Sequence, residues 1–292
     1  MTAATTDAQT ARLAYDTLEP FHVLAYFSPR LMPAQDDLGI ALPSIYVGGR
    51  GAPLGNCSAA VVTSAFYNFS PTMIETSWAE ATRVGLDKVT DKRNQVLDET
   101  LRDVLGDRLD NPEISELAEG FRALAVDLPF TGRPLAAAWA AAEAPEAPHL
   151  RLWYAIAVLR EWRGDNHIAL LVDHGLDGID AGVFHEADLG DPSIRRRVLG
   201  RKMFQMTRGF DDSQWDASLD RLVARGLVER ADDAHRLTAS GLELYRKLED
   251  ETDRITGRAW AAPDSAELVE RTRPYVKAVL DAGVLPGTRK KS

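Results

Sequence analysis

The segment from Arg208 to Arg254 constrains the fold more than any other part of this chain. Asp211 or Asp212 stands where a helix needs an N-cap. Trp215, Leu219, Leu222 and Val223 follow at the spacing of one buried stripe. Gly226 supplies a stop that tolerates left-handed backbone. The run LVERADDAHRLT alternates towards a turn and back, which predicts a two-stranded hairpin. Thr238 then caps a helix carrying Leu242, Tyr245 and Leu248.

Helix, glycine, hairpin and Thr-capped helix in this order resemble the winged-helix domains of MarR-type regulators, in which RLxxRGLVxR and LTxxG recur. Here the pieces read RLVARGLVER and LTASG. Such a fold does not by itself imply DNA binding, because winged helices also serve as dimerisation and ligand scaffolds.

The face that would meet DNA follows from plotting the helix at about 100° per residue. Opposite the apolar stripe lie Ser213, Gln214, Ala217, Arg221 and Arg225, beside an acidic ridge of Asp212, Asp216 and Asp220. The wing tip carries Asp232 and Asp233, where a DNA-binding wing places cations. Over residues 208–254, eight Lys and Arg face twelve acids, a net charge of −4, and the whole chain carries −10. Both oppose phosphate neutralisation, so nucleic acid is not the expected partner.

The first half echoes the second. Arg50-Gly51 and Arg208-Gly209 are followed, seventeen and eighteen residues on, by Tyr67-Asn68 and Arg225-Gly226. At that offset Cys57, Val61 and Ala65 fall on Trp215, Leu219 and Val223. The expected architecture is mainly α: a tandem winged-helix, MarR-like pseudo-dimer with short β-wings. Its divisions are an N-terminal helical half (1–126), a connection (127–149), a C-terminal winged-helix half (150–262), and a final helix with a basic tail (263–292). The first-half reader, SAAVVTSAFY, contains no charged residue.

Several stretches shape this plan. Pro20 and Pro29 predict boundaries in an N-terminal helical region, and YVGGRGAPLG reads as a glycine-rich turn. Asn68 reads as a left-handed cap, with Ser70-Pro71 opening the next helix. Helices are expected over 88–106, 193–207 and, despite Pro274, 264–281. The 292 residues suffice for two domains, and 45% apolar with 27% charged residues is a globular composition. No stretch approaches the roughly 20 apolar residues of a membrane span. MTAATTDAQTAR lacks the blocks of a signal peptide, which predicts a cytoplasmic protein. Cys57, the only cysteine, reads as a small core residue.

FHVLAYFSP, YVGGRGAPLG, FYNFSP, TGRPLAAA and LREWRGDNHIALL, with the module above, resemble a family of actinobacterial helix-turn-helix proteins over about residues 20–260. That resemblance implies a mainly helical tandem winged-helix fold and brings no reaction with it. Trp162 and Asn166 depart from the family's LREHRGDGH pattern.

The stretch Arg160 to His174 is richest in reactive groups. Gly164 reads as a helix break, Asp165 as the cap of a second helix, and His167 as a member of its first turn. A helix N-terminus beside Arg160 and Arg163 suits a carboxylate, phosphate or phenolate. His167 oriented by Asp165 is the candidate acid/base. The plainer alternative is an N-cap with surface ion pairs. His22, Arg50, Tyr67, Asn68 and Arg133 sit in apolar or glycine-rich contexts where polar groups need partners. They read either as pocket lining or as capping bonds. No metal is expected: His167 and His174 lie about 10 Å apart along a helix. Glu19-x-x-His22 has no second copy. No cofactor is predicted, although a haem-ligating histidine stays open, as does self-association. Nucleophile, Walker and dinucleotide motifs are absent. Three readings follow: a small-molecule site, with or without catalysis, on a repurposed winged-helix scaffold; a ligand-responsive MarR-like regulator; and a structural role.

Overall fold

The computed structural model describes residues 6–191, 194, 198–231 and 234–290. The chain is mainly helical. Its first helices are α1 (Asp7–Phe27), α2 (Leu31–Leu38), α3 (Leu42–Gly51), α4 (Ala59–Phe66), α5 (Pro71–Val84), α6 (Leu86–Leu105) and α7 (Glu113–Ala125). Then come α8 (Pro134–Ala141), α9 (Pro148–Asp173), α10 (Gly178–Glu186), α11 (Arg201–Arg208) and α12 (Asp212–Ala224). The strands β1 (Val228–Ala231) and β2 (Ala234–Leu237) precede α13 (Ala239–Thr256) and α14 (Ser265–Asp281). Two compact units result: one of residues up to Cys57, 77–166 and from 253 onward, the other of Ser58–Thr76 and His167–Thr252.

In the first unit α1 packs along α14, and α6 runs beside α1, α3 and α14. Phe21 and Leu24 of α1, Leu97 and Leu101 of α6, Phe121 of α7 and Trp139 of α8 are fully buried. The expected stripe of α6 is all inside: Val89, Val96, Leu97, Leu101 and Leu105. Pro20 does not end α1. An internal proline costs about 3 kcal/mol. Burial of Phe21, Leu24 and Ala25 beyond it offsets that, at about 1.5–3 kcal/mol for each large side chain.

The glycine-rich stretch is not a turn. Residues 42–51 are the helix α3, and Gly48 is there for close approach. A Cβ on Gly48 would stand 2.6 Å from the Ala81 Cβ and 3.1 Å from Val89 Cγ1.

In the second unit Asp211 caps α12 through a capping box with Gln214, and Trp215, Leu219 and Leu222 are buried. Val223, off the edge of the stripe, is exposed. Gly226 takes φ +69°. β1 and β2 pair antiparallel in the register Val228↔Leu237 to Ala231↔Ala234, and Asp188 adds a parallel bridge to Arg236. Thr238 Oγ1 accepts the Gly241 N–H and donates to the Gly226 carbonyl. The glycine of LTASG is required sterically, because a Cβ on Gly241 would overlap the Leu227 carbonyl oxygen. α5 opens at Pro71, and α14 runs through Pro274. Asp232 and Asp233, and residues 193 and 195–197 of the charge-mixed stretch, lie outside the described residues. No helix among the described residues is long and apolar enough to cross a membrane.

Candidate functional site

α9 is one helix of 26 residues, so Gly164 does not break it and Asp165 opens no new helix. A helical glycine costs about 1 kcal/mol. Burial of the neighbouring Trp162, Asp165 and Asn166 keeps the helix intact. Asp165 is a cap, but of α8: its Oδ2 accepts the Ala136 N–H at 2.8 Å, and the Leu135 N–H also bonds to it. Burial pushes its carboxyl up to about 6, against the pull of those N–H groups. Because no helix begins at Asp165, the anion site expected at such an N-terminus does not form there.

Arg133, also at the start of α8, is held by Asn166 Oδ1 at 2.9 Å and by the Pro129 and Thr131 carbonyls. Its guanidinium lies 4.4 Å from the Trp162 ring centre. Trp162 and Asn166 are thus both partners of Arg133.

Arg50 bonds Glu161 through two parallel contacts, Nε–Oε1 at 2.8 Å and Nη2–Oε2 at 2.7 Å, with both side chains buried. Burial alone would raise the Glu161 carboxyl, but Arg50 pulls it down to about 2. Arg160 reaches Glu19 at 3.3 Å. Arg163 bonds Asp253 at 2.7 Å, with its guanidinium 4.5 Å from the Tyr15 ring centre.

Three predicted binding residues, His22, Arg160 and Arg163, come together on the wall of one recess in the first unit, with Glu19, Tyr15 and Trp260. His22 is 2% exposed and stacks on Trp153, ring centres 6.0 Å apart. Its Nδ1 has no hydrogen-bond partner. Burial first, and Arg160 second, lower its pKa to about 4, which makes the ring neutral near pH 7. Arg50, Arg133 and Asp165 are not among the residues lining this recess.

Tyr67, Asn68 and His167 belong to the second unit. The residue with positive φ after α4 is Tyr67 (φ +48°, ψ −68°), not Asn68. Its hydroxyl donates to the Leu176 carbonyl, and Gly178 approaches so closely that a Cβ there would overlap the Tyr67 carbonyl oxygen. These contacts hold Tyr67 in a strained backbone region. His167 Nδ1 is 2.9 Å from Thr252 Oγ1.

On α12, Ser213, Gln214 and Ala217 are exposed as expected. Arg221 bonds the buried Asp180, which also accepts from Ser218 at 2.6 Å. Arg225 donates to the Gly175 and His174 carbonyls at 2.6 and 2.9 Å. Arg230 pairs with Asp220, and Arg201 with Asp212 and Asp216. These four cations around α12 are engaged within their own unit.

Sequence reasoning passed over Glu161, Asp180 and Asp253, and weighed Glu19 only as a metal ligand beside His22. Only Glu161 carried a local signal, a carboxylate that follows Arg160 directly after the apolar run from Leu152 to Leu159. Cys57 is half-buried, and burial raises its thiol pKa.

No curated protein and no solved structure matches the chain. A family model does, over residues 11–286: the chain belongs to a helix-turn-helix family.

Proposed function

We propose that this protein binds a small polar or anionic organic molecule on a MarR-like winged-helix scaffold whose reader no longer serves DNA. One observation carries the reading: a buried imidazole nitrogen without a partner, on the wall of a recess bordered by Arg160 and Arg163. An unsatisfied buried polar atom costs about 1–3 kcal/mol. A ligand group bonded to His22 Nδ1 recovers that cost. The two arginines outnumber Glu19 on the wall and favour a carboxylate, while Leu18, Leu159, Trp260 and Tyr15 supply apolar surface.

The scaffold reading rests on the order α10, Asp188 bridge, α11, α12, β1 and β2. In the first half, helix, turn and helix recur at α3 and α4, and no strand follows among the described residues. A duplicated element would therefore be a helix pair without its wing.

The second reading, a DNA-binding regulator, is favoured by the family and by the exposed Ser213, Gln214 and Ala217. The experiment pairs a thermal-shift screen of organic carboxylates with gel shifts on the surrounding genomic DNA. Carboxylate binding that His22→Phe and Arg163→Ala abolish supports the proposal. A nanomolar sequence-specific DNA complex lost on Gln214→Ala, with no carboxylate response, replaces it with the regulator.

A further inference from the structure

We infer that His167, His185 and Glu249 form a site for a divalent first-row transition metal, taken here as Zn2+, inside the second unit. His167 comes from α9, His185 from α10 and Glu249 from α13, and one donor atom from each lies within 4.8 Å of the others. Around a tetrahedral zinc with bonds of about 2.1 Å, donors stand about 3.4 Å apart. Small side-chain rotations close the set on an ion. All three side chains are half-buried, so an ion here keeps only part of its water.

The hydrogen bonds around the two imidazoles fix which nitrogen faces a metal. His185 Nδ1 lies 2.8 Å from the Ala181 carbonyl oxygen, which can only accept, so Nδ1 carries the proton. His167 Nδ1 lies 2.9 Å from Thr252 Oγ1, whose own proton goes to the Leu248 carbonyl at 2.6 Å. Thr252 therefore accepts from His167, and Nδ1 is again the protonated nitrogen. In the neutral form of each ring the lone pair is then on Nε2. Donation of the second ring N–H to a carbonyl or hydroxyl is the outer-shell pattern of metal-bound histidine.

The sequence argued against a metal because His167 and His174 are too far apart along their helix. The fold brings in His185 instead. Three protein donors leave one tetrahedral position for water or a ligand atom, as open zinc sites do. The ion would also tie α10, which packs against α12, to α13.

The test uses the full chain without an affinity tag, stripped with chelator and reloaded with Zn2+. Zinc is counted by elemental analysis after gel filtration, and affinity is read by competition with a chelating dye. The site predicts a single zinc per chain. His185→Ala and Glu249→Gln should weaken binding by more than about a hundredfold, and Thr252→Val by about tenfold to a hundredfold. His174→Ala should leave affinity unchanged. Wild-type protein that takes up no zinc overturns the proposal, as does equal binding by wild type, His185→Ala and Glu249→Gln. Imidazole nitrogen NMR of the wild type needs no variant: zinc must shift the His167 and His185 Nε2 resonances, and a spectrum in which neither moves also overturns it.

Discussion

Asp165 on α9 accepts the backbone N–H of Ala136 at 2.8 Å, so the first turn of α8 is capped by a carboxylate from 29 residues further along the chain. The arrangement opposes two effects. The N–H groups and helix dipole favour the ionised carboxylate, while burial disfavours it. Burial wins, because the carboxyl is raised to about 6 from its ordinary 3.8.

That shift has a sign. A carboxyl raised in the folded state contributes most below its unfolded value, and the contribution is lost as pH rises from about 4 through 6. By pH 7 the loss is at most about 3 kcal/mol. Asp165→Asn keeps an oxygen acceptor for Ala136 and removes the charge. Urea unfolding should find the variant more stable than wild type by about 1–3 kcal/mol near pH 7, with the difference gone near pH 4. A variant less stable than wild type near pH 7 would mean that the charge–dipole attraction is the larger effect.

The Arg50–Glu161 pair predicts the opposite pH behaviour. Glu161 is depressed to about 2, so its contribution is present above the ordinary 4.5 and is lost as pH falls towards 2. Glu161→Gln leaves a buried guanidinium without its counter-charge and should cost about 3–5 kcal/mol. Replacing both, as Arg50→Met with Glu161→Met, should recover most of that loss. Chemical denaturation of the two single variants and the double variant measures the coupling. Purely additive losses would show that the pair is not a unit.

Arg221 separates a structural role from a reading role. Its partner Asp180 is buried, with 6% of its side chain exposed, and keeps only Ser218 when the arginine is removed. Arg221→Ala should therefore cost about 1–3 kcal/mol, whereas Ser213→Ala, on the open face, should stay within about 0.5 kcal/mol. Unchanged stability in Arg221→Ala, together with loss of a DNA complex, would place this arginine in a reader.

The helix, hairpin and helix of residues 211–256 were legible because their determinants are local. Asp211 and Gln214 form their box three residues apart, Trp215 to Leu222 share one stripe, and Gly226 and Thr238 end and begin elements where they stand. The reading failed where a distant contact overrides a local cue. Gly164 suggests a break until the burial around it is known, and Tyr67 rather than Asn68 takes positive φ because Gly178 closes on its backbone. Of the candidate site, His22, Arg160 and Arg163 are recognisable by their chemistry. Their companions are not, since Arg50 meets Glu161 across 111 residues and Arg163 meets Asp253 across 90. No spacing in the sequence encodes such a pairing.

The glycine-rich stretch gives the sharpest case of a tertiary cause, and it can be reversed. Gly48 lies inside α3, where alanine is favoured by about 1 kcal/mol on helix propensity alone. Packing argues otherwise: the added Cβ would meet the Ala81 Cβ at 2.6 Å, closer than two carbons approach, with Val89 Cγ1 at 3.1 Å. Ala81 and Val89 are both fully buried, so neither can swing aside. Gly48→Ala should therefore destabilise the protein by about 1–3 kcal/mol in spite of the propensity gain. Ala81→Gly removes the clashing methyl and should cost about 1 kcal/mol alone, as a helical glycine does. Combined, the two substitutions exchange the methyl between helices, and the double variant should be more stable than Gly48→Ala by itself. Thermal or urea unfolding of the four proteins gives the coupling directly. If Gly48→Ala raises the melting temperature, α3 does not approach α5 this closely, and the glycines of YVGGRG need another explanation.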